Sequence, residues 1–305
     1  MQITKFLDPK NDYAFKRIFG TERNKAILIH FLNDILGFKG DQQIQSIEFL
    51  KTNQDPEIAS KKQSLVDVLC SDEKGVQYIV EMQVVKRKGF EKRAQYYAAK
   101  AYSRQLSKGE PYHNLKEIIF LAITDFVMFS DKKDYLSHHV ILDKKTHEHD
   151  LKDFTFTFIE LPKFTKTLDQ LNTVVEKWAY FFKNAETTQE EDLARIVGTD
   201  LIIQKAYDEL NRFSWDDADL NTYEQDEKHE RDAQAILEAA EDKGIAKGMA
   251  KGIALGEAKG KEEGIALGKE EEKLSMAKAM LSKGISAEVI ADCTGLSIEM
   301  IQTLY

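Results

Sequence analysis

The sequence contains few cysteines and no long apolar run. Cys70 and Cys293 are its only two cysteines among 305 residues, too few for a disulfide framework, and we expect both to be reduced. The most apolar run, residues 118–123, is far shorter than the ~20 residues that a membrane-spanning helix needs. The first twelve residues contain no apolar stretch typical of a secretory signal. We therefore expect a soluble, cytoplasmic protein with no membrane partner.

The motifs of two large enzyme classes are also missing. The sequence has neither the Gly-x-Ser-x-Gly turn of serine hydrolases nor the Gly-x-x-x-x-Gly-Lys loop that binds nucleotide phosphates. Histidines occur close together at His138 and His139 and within residues 147–150. A zinc site typically needs four ligands in a supporting geometry. We therefore do not predict a zinc site from these histidines.

Charge is distributed unevenly along the chain, whose net charge is −9. Residues 216–242 contain eleven acidic residues against Lys228 and Arg231 and account for the whole imbalance. Residues 86–108 contain eight basic residues against Glu91 alone, a net charge of +7. A basic stretch of that density can neutralise several DNA phosphates. The alternative is a solvated helix face without a nucleic-acid partner.

Apolar periodicity and turn residues predict a mixed α/β fold. The predicted order is helix, three strands, helix and strand, followed by two further strands and three covering helices. Asp8 or Asn11 can cap the first helix, and Gly37 can end it. The predicted segments are 11–35 (helix), 44–50, 63–71 and 76–85 (strands), 90–107 (helix), 117–124, 137–142 and 154–161 (strands), and 168–183, 190–196 and 200–213 (helices).

The C-terminal third differs in composition from the rest of the chain. We predict a globular domain over residues 1–215, an acidic and then glycine-rich helical linker over 216–270, and a small helical module over 271–305. Glycine recurs every four residues from Gly244 to Gly268, and each glycine costs a helix roughly 1 kcal/mol against alanine. The repeat is therefore either a tether or a helix whose glycine stripe lets two chains approach closely.

The last segment has the pattern of three short helices. Gly284 and Gly295 interrupt the helical pattern, and Ser286 and Ser297 can cap the pieces that follow. The third piece is short for a helix that reads a DNA groove. We therefore favour a packing or oligomerisation module over the alternative, sequence-specific DNA binding, and predict a homo-oligomer that forms through the C-terminal helical region.

One predicted hairpin carries two carboxylates on strands that are otherwise apolar on both faces. Its loop, residues 73–75, ends in Gly75, as a type I turn followed by a left-handed residue requires. Counting outward from this turn places Asp67 directly opposite Glu81. Directly opposed residues have Cβ atoms roughly 4.5–5.5 Å apart. Gln83 shares the face of Glu81 because side chains alternate along a strand.

Two buried carboxylates at this separation need a positively charged partner. Burial and mutual repulsion disfavour their charged forms, so one of them takes up a proton unless a cation lies nearby. Mg²⁺ or Mn²⁺ suits two oxygen ligands of this kind. The alternative, which the pair taken alone favours, is a structural pair neutralised by a lysine or an arginine.

Four sequence patterns resemble known nucleases. Asp67 followed by Glu81-Met82-Gln83 resembles the D…(D/E)-x-K pattern of the PD-(D/E)XK nuclease superfamily. Residues 8–20, DPKNDYAFKRIFG, resemble the opening signature of the recombination-promoting nuclease (Rpn) family, whose members are also described as transposases. Residues 93–106 and the C-terminal run from Ser-Lys-Gly-Ile-Ser to Thr-Gly-Leu-Ser resemble the same family. The resemblance covers residues 8–213 well and the tail more loosely.

This resemblance implies both a fold and an activity. It implies a restriction-endonuclease-like core, in which helices flank a mixed sheet, with an α-helical C-terminal extension. It also implies a metal-dependent endonuclease that acts on DNA in recombination or in mobile-element or phage-related processes. Asp67 and Glu81 would bind Mg²⁺ (or Mn²⁺), with the main-chain carbonyl of Met82 as a third ligand, and Gln83 would orient the attacking water. Gln83 replaces the lysine of the superfamily pattern and supplies no positive charge.

The missing positive charge could come from the helix predicted over residues 90–107. Arg93, Tyr97 and Lys100 lie at helical spacing and could together contact the DNA substrate near the scissile phosphate. The alternative is that Tyr96 and Tyr97 pack the helix onto the sheet and the basic residues are solvated. Gln83 also motivates a second functional hypothesis, a catalytically weak nuclease fold that binds DNA or a protein. We interpret Asp12 as an acid favoured in the first turn of a helix.

Overall fold

The computed structural model describes residues 4–51, 66–107 and 109–304, which form two compact units, Met1–Asp232 and Ala233–Tyr305. None of the helices in these residues is both long enough and apolar enough to span a membrane. The predicted division at residues 215 and 270 stays a prediction.

The helices are α1 (Asp12–Phe19), α2 (Lys25–Leu36), α3 (Phe90–Ser103), α4 (Val174–Asn184), α5 (Glu190–Val197), α6 (Leu201–Glu209), α7 (Asp217–Ser282), α8 (Ala287–Thr294) and α9 (Ile298–Gln302). The strands are β1 (Ile47–Phe49), β2 (Val68–Asp72), β3 (Gln77–Gln83), β4 (Ile118–Thr124), β5 (Leu136–Val140) and β6 (Phe154–Glu160).

The strands form one mixed sheet in the order β1-β2-β3-β4-β6-β5. β1, β2 and β3 pair antiparallel, β3, β4 and β6 pair parallel, and β5 returns antiparallel to β6. One face of the sheet packs against α1, α2, α4 and α6, and the other face packs against α3. β4 is buried along its whole length because helices cover both faces. The predicted mixed sheet flanked by helices is confirmed.

The single helix predicted over residues 11–35 is wrong, because α1 and α2 are separate helices. Gly20 ends α1, and its N–H donates to the carbonyl oxygen of Lys16. A Cβ at position 20 would lie only 2.8 Å from that oxygen, so glycine fits this close turn. A short 3-10 turn, Glu22–Asn24, then leads into α2. The break allows both short helices to bury their apolar faces in one core. Gly37 ends α2 as predicted, with a left-handed φ of 71°.

Several other predicted elements are shorter than expected. β1 covers only three residues, α3 ends at Ser103 and α6 ends at Glu209. The helix predicted over residues 168–183 begins at Val174, because the Thr173 side chain accepts a hydrogen bond from the third helical N–H and caps the helix there. The strand predicted over residues 63–71 begins at Val68, and residues 63–65 lie outside the described residues.

In the second unit, α7 continues through the glycine repeat to Ser282. The repeat is therefore helical rather than an irregular tether. Gly284 and Gly295 adopt left-handed φ values of 78° and 68°, and α8 and α9 follow them as the sequence pattern predicts. Ser297 caps α9 by accepting a hydrogen bond from the N–H of Met300. A small apolar core holds the end of α7, α8 and α9 together through Ala277, Ile290 and Ile301.

In the first unit, the first turns of α7 pack against α1. Tyr223 is buried, and its hydroxyl accepts a 3.0 Å hydrogen bond from the N–H of Asp8. Its main-chain carbonyl accepts a 3.1 Å hydrogen bond from the side chain of Asn11, and Asp219 forms an ion pair with Arg17. These contacts bring acidic side chains of α7 close to the acidic residues that precede and begin α1.

Glu230 shows the resulting repulsion. Burial, followed by the charges of Asp8, Asp12 and Asp226, raises the pKa of Glu230 to about 7. A carboxyl with a raised pKa stabilises the fold only while it stays protonated, so stability is lost as the pH rises through about 7. We expect Glu230→Gln to raise the free energy of unfolding by about 1 kcal/mol near pH 8, after allowance for solvent screening, and to change nothing below about pH 4. Urea unfolding at both pH values measures this, with exposed Glu224→Gln as the control. A destabilised Glu230→Gln protein near pH 8 would contradict the prediction.

Candidate active site

The candidate site lies at the end of the β2–β3 hairpin that is farthest from its turn. Gly75 in the turn is left-handed, with a φ of 83°. The ladder pairs Val68 with Val80, and the same register places Asp67, just before β2, opposite Glu81, as the turn predicts. The carboxylate of Asp67 accepts a 2.9 Å hydrogen bond from the main-chain N–H of Met82. The two acids therefore lie close together at one end of the hairpin.

Glu81 is buried, with only 2% of its surface exposed. One of its carboxylate oxygens, Oε2, accepts a 3.0 Å hydrogen bond from the side-chain amide of Gln83. The other oxygen, Oε1, has no hydrogen-bond partner among the described residues. A buried carboxylate oxygen without a donor is costly. A hard divalent cation would supply the missing partner, so this pair of oxygen donors fits such an ion.

Burial raises the pKa of both carboxyls. For Asp67, burial is the largest cause, and the hydrogen bond from Met82 opposes it. For Glu81, burial and then the negative charge of Asp67 raise the pKa well above its usual range. The positive charges of Arg93 and Lys16 lower both pKa values without offsetting the burial. The pair therefore favours a bound proton, and a divalent cation would compete with that proton.

α1 contributes two side chains to the site, and their placement there depends on how the helix packs. The ammonium of Lys16 lies 3.7 Å from the carboxylate of Asp67 and 2.7 Å from that of Asp12. The negative charge of Asp12 also raises the pKa of Asp67. Asp12 does occupy the first turn of α1, so its interpretation as a helix-start acid holds, but it also lies beside the site. The four-residue spacing places both side chains on one face of a helix without indicating which partner that face meets.

α3 contributes Arg93, which contacts the site through Gln83. The guanidinium of Arg93 donates a 2.5 Å hydrogen bond to the side-chain carbonyl of Gln83, while the amide NH₂ of Gln83 donates to Glu81. Gln83 thus links a cation on α3 to a carboxylate on β3. A lysine at this position could not make the same link, because an ammonium group accepts no hydrogen bond.

The other two residues predicted to bind substrate differ in their placement. Tyr97 is half-buried, and its pKa is raised. Burial is the largest cause; the charge of Arg93 lowers the pKa, and those of Glu81 and Asp67 raise it. Lys100 lies about one turn further along α3, and its ammonium is 5.7 Å from the ring centroid of Tyr96. The guanidinium of Arg93 lies 5.9 Å from the ring centroid of Tyr97, so Tyr97 is close to the site, and substrate contact by Tyr97 and by Lys100 stays a prediction.

Across the described ranges of the chain, no three side chains of His, Cys, Asp or Glu lie close enough together to hold a metal ion. A metal at the candidate site would therefore have two side-chain carboxylates and would need further ligands from the main chain or from solvent. The ring of His138 lies 3.0 Å from the hydroxyl of Thr157, and His139 packs against Phe129 with ring centroids 4.9 Å apart. These two histidines thus take part in contacts at the β5 edge of the sheet.

Comparison with known proteins supplies the family of the chain. A family model described as PD-(D/E)XK nuclease family transposase matches residues 9–240. The chain belongs to this family. A second family model, described as Rpn/YhgA-like nuclease family, C-terminal HTH domain, matches residues 270–305. No curated protein and no solved structure matches the chain.

Membership of the PD-(D/E)XK nuclease family transposases confirms the family resemblance of the sequence patterns and marks the chain as a nuclease relative. The second match concerns the tail, for which the sequence pattern led us to favour a packing module. Helix-turn-helix (HTH) domains are DNA-binding modules, so this match supports the alternative that α8 and α9 contact DNA. Both matches favour DNA as the partner of this chain.

Proposed function

We propose that this chain hydrolyses phosphodiester bonds of DNA at the Asp67–Glu81 pair, with Mg²⁺ or Mn²⁺ bound there. The observation that carries the proposal is the unpartnered buried oxygen of Glu81, which lies opposite a second carboxylate. A structural ion pair satisfies such an oxygen with a donor. Glu160, which is equally buried, shows this arrangement, because Lys163 donates to one of its oxygens at 2.7 Å. Among the described residues, none donates a hydrogen bond to Oε1 of Glu81.

Asp67 and Glu81 would hold the ion, and the main-chain carbonyl of Met82 would be a further ligand. When bound, a divalent ion lowers the pKa of a water molecule and offsets the negative charge of a phosphate group. The oxygen donors of this site suit either Mg²⁺ or Mn²⁺. The unpartnered oxygen and the raised pKa values support this assignment, since both disappear when a cation neutralises the pair.

The surrounding side chains take the remaining catalytic roles. Gln83, held between Glu81 and Arg93, orients the attacking water. The positive charges of Arg93 and Lys16 stabilise the negative charge that develops on the phosphate in the transition state. Two cations on two helices thus replace the single lysine of the superfamily pattern. Tyr97 and Lys100 bind the DNA strand along α3.

Plasmid nicking tests the proposed activity. The full chain with Mg²⁺ or Mn²⁺ should convert supercoiled plasmid to the open-circular form, and EDTA should prevent this conversion. The second candidate function is a catalytically weak nuclease fold that binds DNA or a protein, and Gln83 in place of lysine favours it. DNA binding that persists in EDTA, without cleavage under either metal, would support this second function and reject the first.

Restoring the lysine of the superfamily pattern should harm this site. In Gln83→Lys, the new ammonium faces Arg93 and cannot accept its hydrogen bond, so we expect nicking to fall about tenfold. Arg93→Gln should recover part of the loss in the double variant, because the lysine then has no guanidinium opposite. Nicking rates of the wild type, both single variants and the double variant measure this coupling. Strictly additive losses would contradict the proposed link.

We further propose that the tail adds to DNA affinity. In an HTH module the second helix enters the major groove, and α9 occupies that position after the Gly295 turn. A chain ending at residue 269 is expected to bind duplex DNA about tenfold more weakly at equal salt, because one of two linked contacts is lost. It should still nick at saturating DNA concentration. Fluorescence anisotropy measures the affinity, and an unchanged value would remove this role.

The predicted homo-oligomer has its own test, independent of DNA. Light scattering of the full chain and of a chain that ends before Asp242 compares their masses. If the shorter chain forms an oligomer of fewer chains than the full chain, assembly through the C-terminal helical region is supported. An unchanged number of chains per oligomer would reject it. A role in recombination or in mobile-element or phage-related processes rests on the transposase description of the family and is part of the proposal.

A further inference from the structure

A cavity of about 360 Å³ opens between the start of α3 and the segment that follows β4. Its wall is apolar and is formed by Phe90, Phe126, Met128 and Phe129. Its rim carries the three consecutive basic residues 86–88 against one acid, Glu91. This volume falls within the ~300–1,000 Å³ of typical ligand pockets. We call it the β4 pocket.

The wall of the β4 pocket is held in place by a buried ion pair. Glu160 has no exposed surface, and its carboxylate accepts hydrogen bonds from the main-chain N–H groups of Met128 and Phe129 at 2.7 and 3.1 Å. Lys163 donates both to Glu160 and to the carbonyl of Phe129, each at 2.7 Å. Lys86, on the opposite side, donates a 2.9 Å hydrogen bond to the carbonyl of Val127. The pocket is therefore preformed.

The β4 pocket adjoins the candidate site. Phe90 in its wall lies 4.7 Å from the guanidinium of Arg93, measured to the ring centroid, and Arg93 in turn donates to Gln83. The N–H of Asp125, which directly follows β4, donates a 2.9 Å hydrogen bond to the carbonyl of Gln83. Both features lie at the carboxyl ends of the parallel strands, the edge at which α/β sheets bind ligands.

We propose that the β4 pocket receives one unpaired nucleobase of the DNA strand whose phosphate lies at the Asp67–Glu81 pair. This inference rests on the proposed function and adds the substrate class. A base is a flat apolar ring attached to a phosphate chain, and the pocket offers aromatic walls for the ring and a basic rim for the chain. A base inside a duplex cannot reach such a pocket unless it leaves the stack. The preferred substrate is therefore DNA with an unpaired nucleotide beside the cleaved bond.

Binding of matched oligomers in EDTA tests the pocket without any need for hydrolysis. The probes are a short oligothymidylate and an abasic oligomer with the same number of phosphates, so that only the bases differ. We expect the wild-type full chain to bind the thymidine oligomer roughly fivefold to a hundredfold more tightly, the range that stacking of one base provides. Phe126→Leu and Phe129→Leu, singly and together, should reduce this ratio towards one and leave the abasic affinity unchanged. Phe156→Leu, in the same apolar cluster but outside the pocket, should keep the wild-type ratio.

Two results would overturn the inference. One is equal wild-type affinity for the two oligomers, and the other is a ratio that survives in the double variant while thermal unfolding shows it to be folded. Cleavage of a duplex with one unpaired thymidine, compared with the fully paired duplex, then tests the substrate class. If both duplexes resist cleavage while the binding ratio behaves as expected, the proposed hydrolysis fails and the pocket stands.

Discussion

Glu81→Gln should abolish nicking and, at the same time, make the metal-free protein more stable. The substitution keeps the shape of the side chain but removes one of the two carboxylates that would bind the ion. Loss of such a ligand removes several kcal/mol of transition-state stabilisation, so we expect nicking to fall about a thousandfold or more. Asp67→Asn should cause a loss of similar size.

The expected gain in stability follows from the raised pKa of Glu81. An acid whose pKa is raised on folding stabilises the folded state only while it is protonated, and its ionised form costs stability at higher pH. Gln removes that cost, so the free energy of unfolding in EDTA should rise by about 1 kcal/mol or more near pH 8. Below about pH 4, where the carboxyl is protonated in both states, the difference should vanish.

Nicking assays and urea unfolding in EDTA together decide the assignment. Glu117→Gln is a matched control, because burial also raises the pKa of Glu117 and this residue precedes the opposite end of β4. The control should retain full nicking activity. Wild-type nicking by both Glu81→Gln and Asp67→Asn would remove these residues from the mechanism. Lost nicking together with lost stability would indicate a structural role instead.

Lys16→Met should slow cleavage and tighten metal binding, two changes of opposite sign. The ammonium of Lys16 lies 3.7 Å from the carboxylate of Asp67, where it can stabilise a phosphate but repels a divalent cation. Removal of one charged donor from a transition state costs about a hundredfold in rate. Unit charges ~4 Å apart interact by at most ~4 kcal/mol at an effective dielectric of 20, and screening reduces this, so we expect Mn²⁺ affinity to rise about fivefold.

Calorimetric titration of Mn²⁺ and nicking rates measure the two changes in the same protein. Lys16→Arg should recover most of the rate because it keeps the charge. Lys25→Met is the control, since Lys25 at the start of α2 also pairs with a nearby acid, Glu22 of the preceding 3-10 turn, at 2.6 Å. Weaker Mn²⁺ binding together with slower nicking would show that Lys16 only supports the local structure.

In our proposal, two parts of the chain bind different parts of the DNA substrate. The nuclease family model ends at residue 240 and the HTH model begins at residue 270, with the glycine repeat between them on α7. In our proposal the HTH module holds duplex DNA while the β4 pocket selects an unpaired nucleotide. The binding measurements proposed above separate these contributions, because oligothymidylate and abasic strands offer no duplex groove.

Local sequence rules were sufficient to determine the hairpin and its two acids. A three-residue loop that ends in glycine permits only a few turn conformations, and the turn then sets the register of the strands that leave it. Asp67 and Glu81 therefore oppose each other because of residues within a short distance along the chain. The strand alternation that places Gln83 on the same face is equally local. The mixed sheet followed from the order of helical and strand patterns, which needs no knowledge of contacts.

Only the tertiary structure decided which charges surround that pair. Lys16 precedes Asp67 by about fifty residues. Its contact with Asp67 depends on how α1, which ends at Gly20, packs on the sheet. The helical pattern alone ran through that turn and predicted one long helix, because a lone glycine does not show whether a helix tolerates it or ends there. The β4 pocket likewise depends on Glu160, whose buried charge looks unfavourable in sequence until Lys163 and two main-chain N–H groups satisfy it. The contacts of Asp67 with Lys16 and of Glu160 with Met128 and Phe129 join segments that are distant in sequence. They form when apolar faces are buried, and no pattern of neighbouring residues records them.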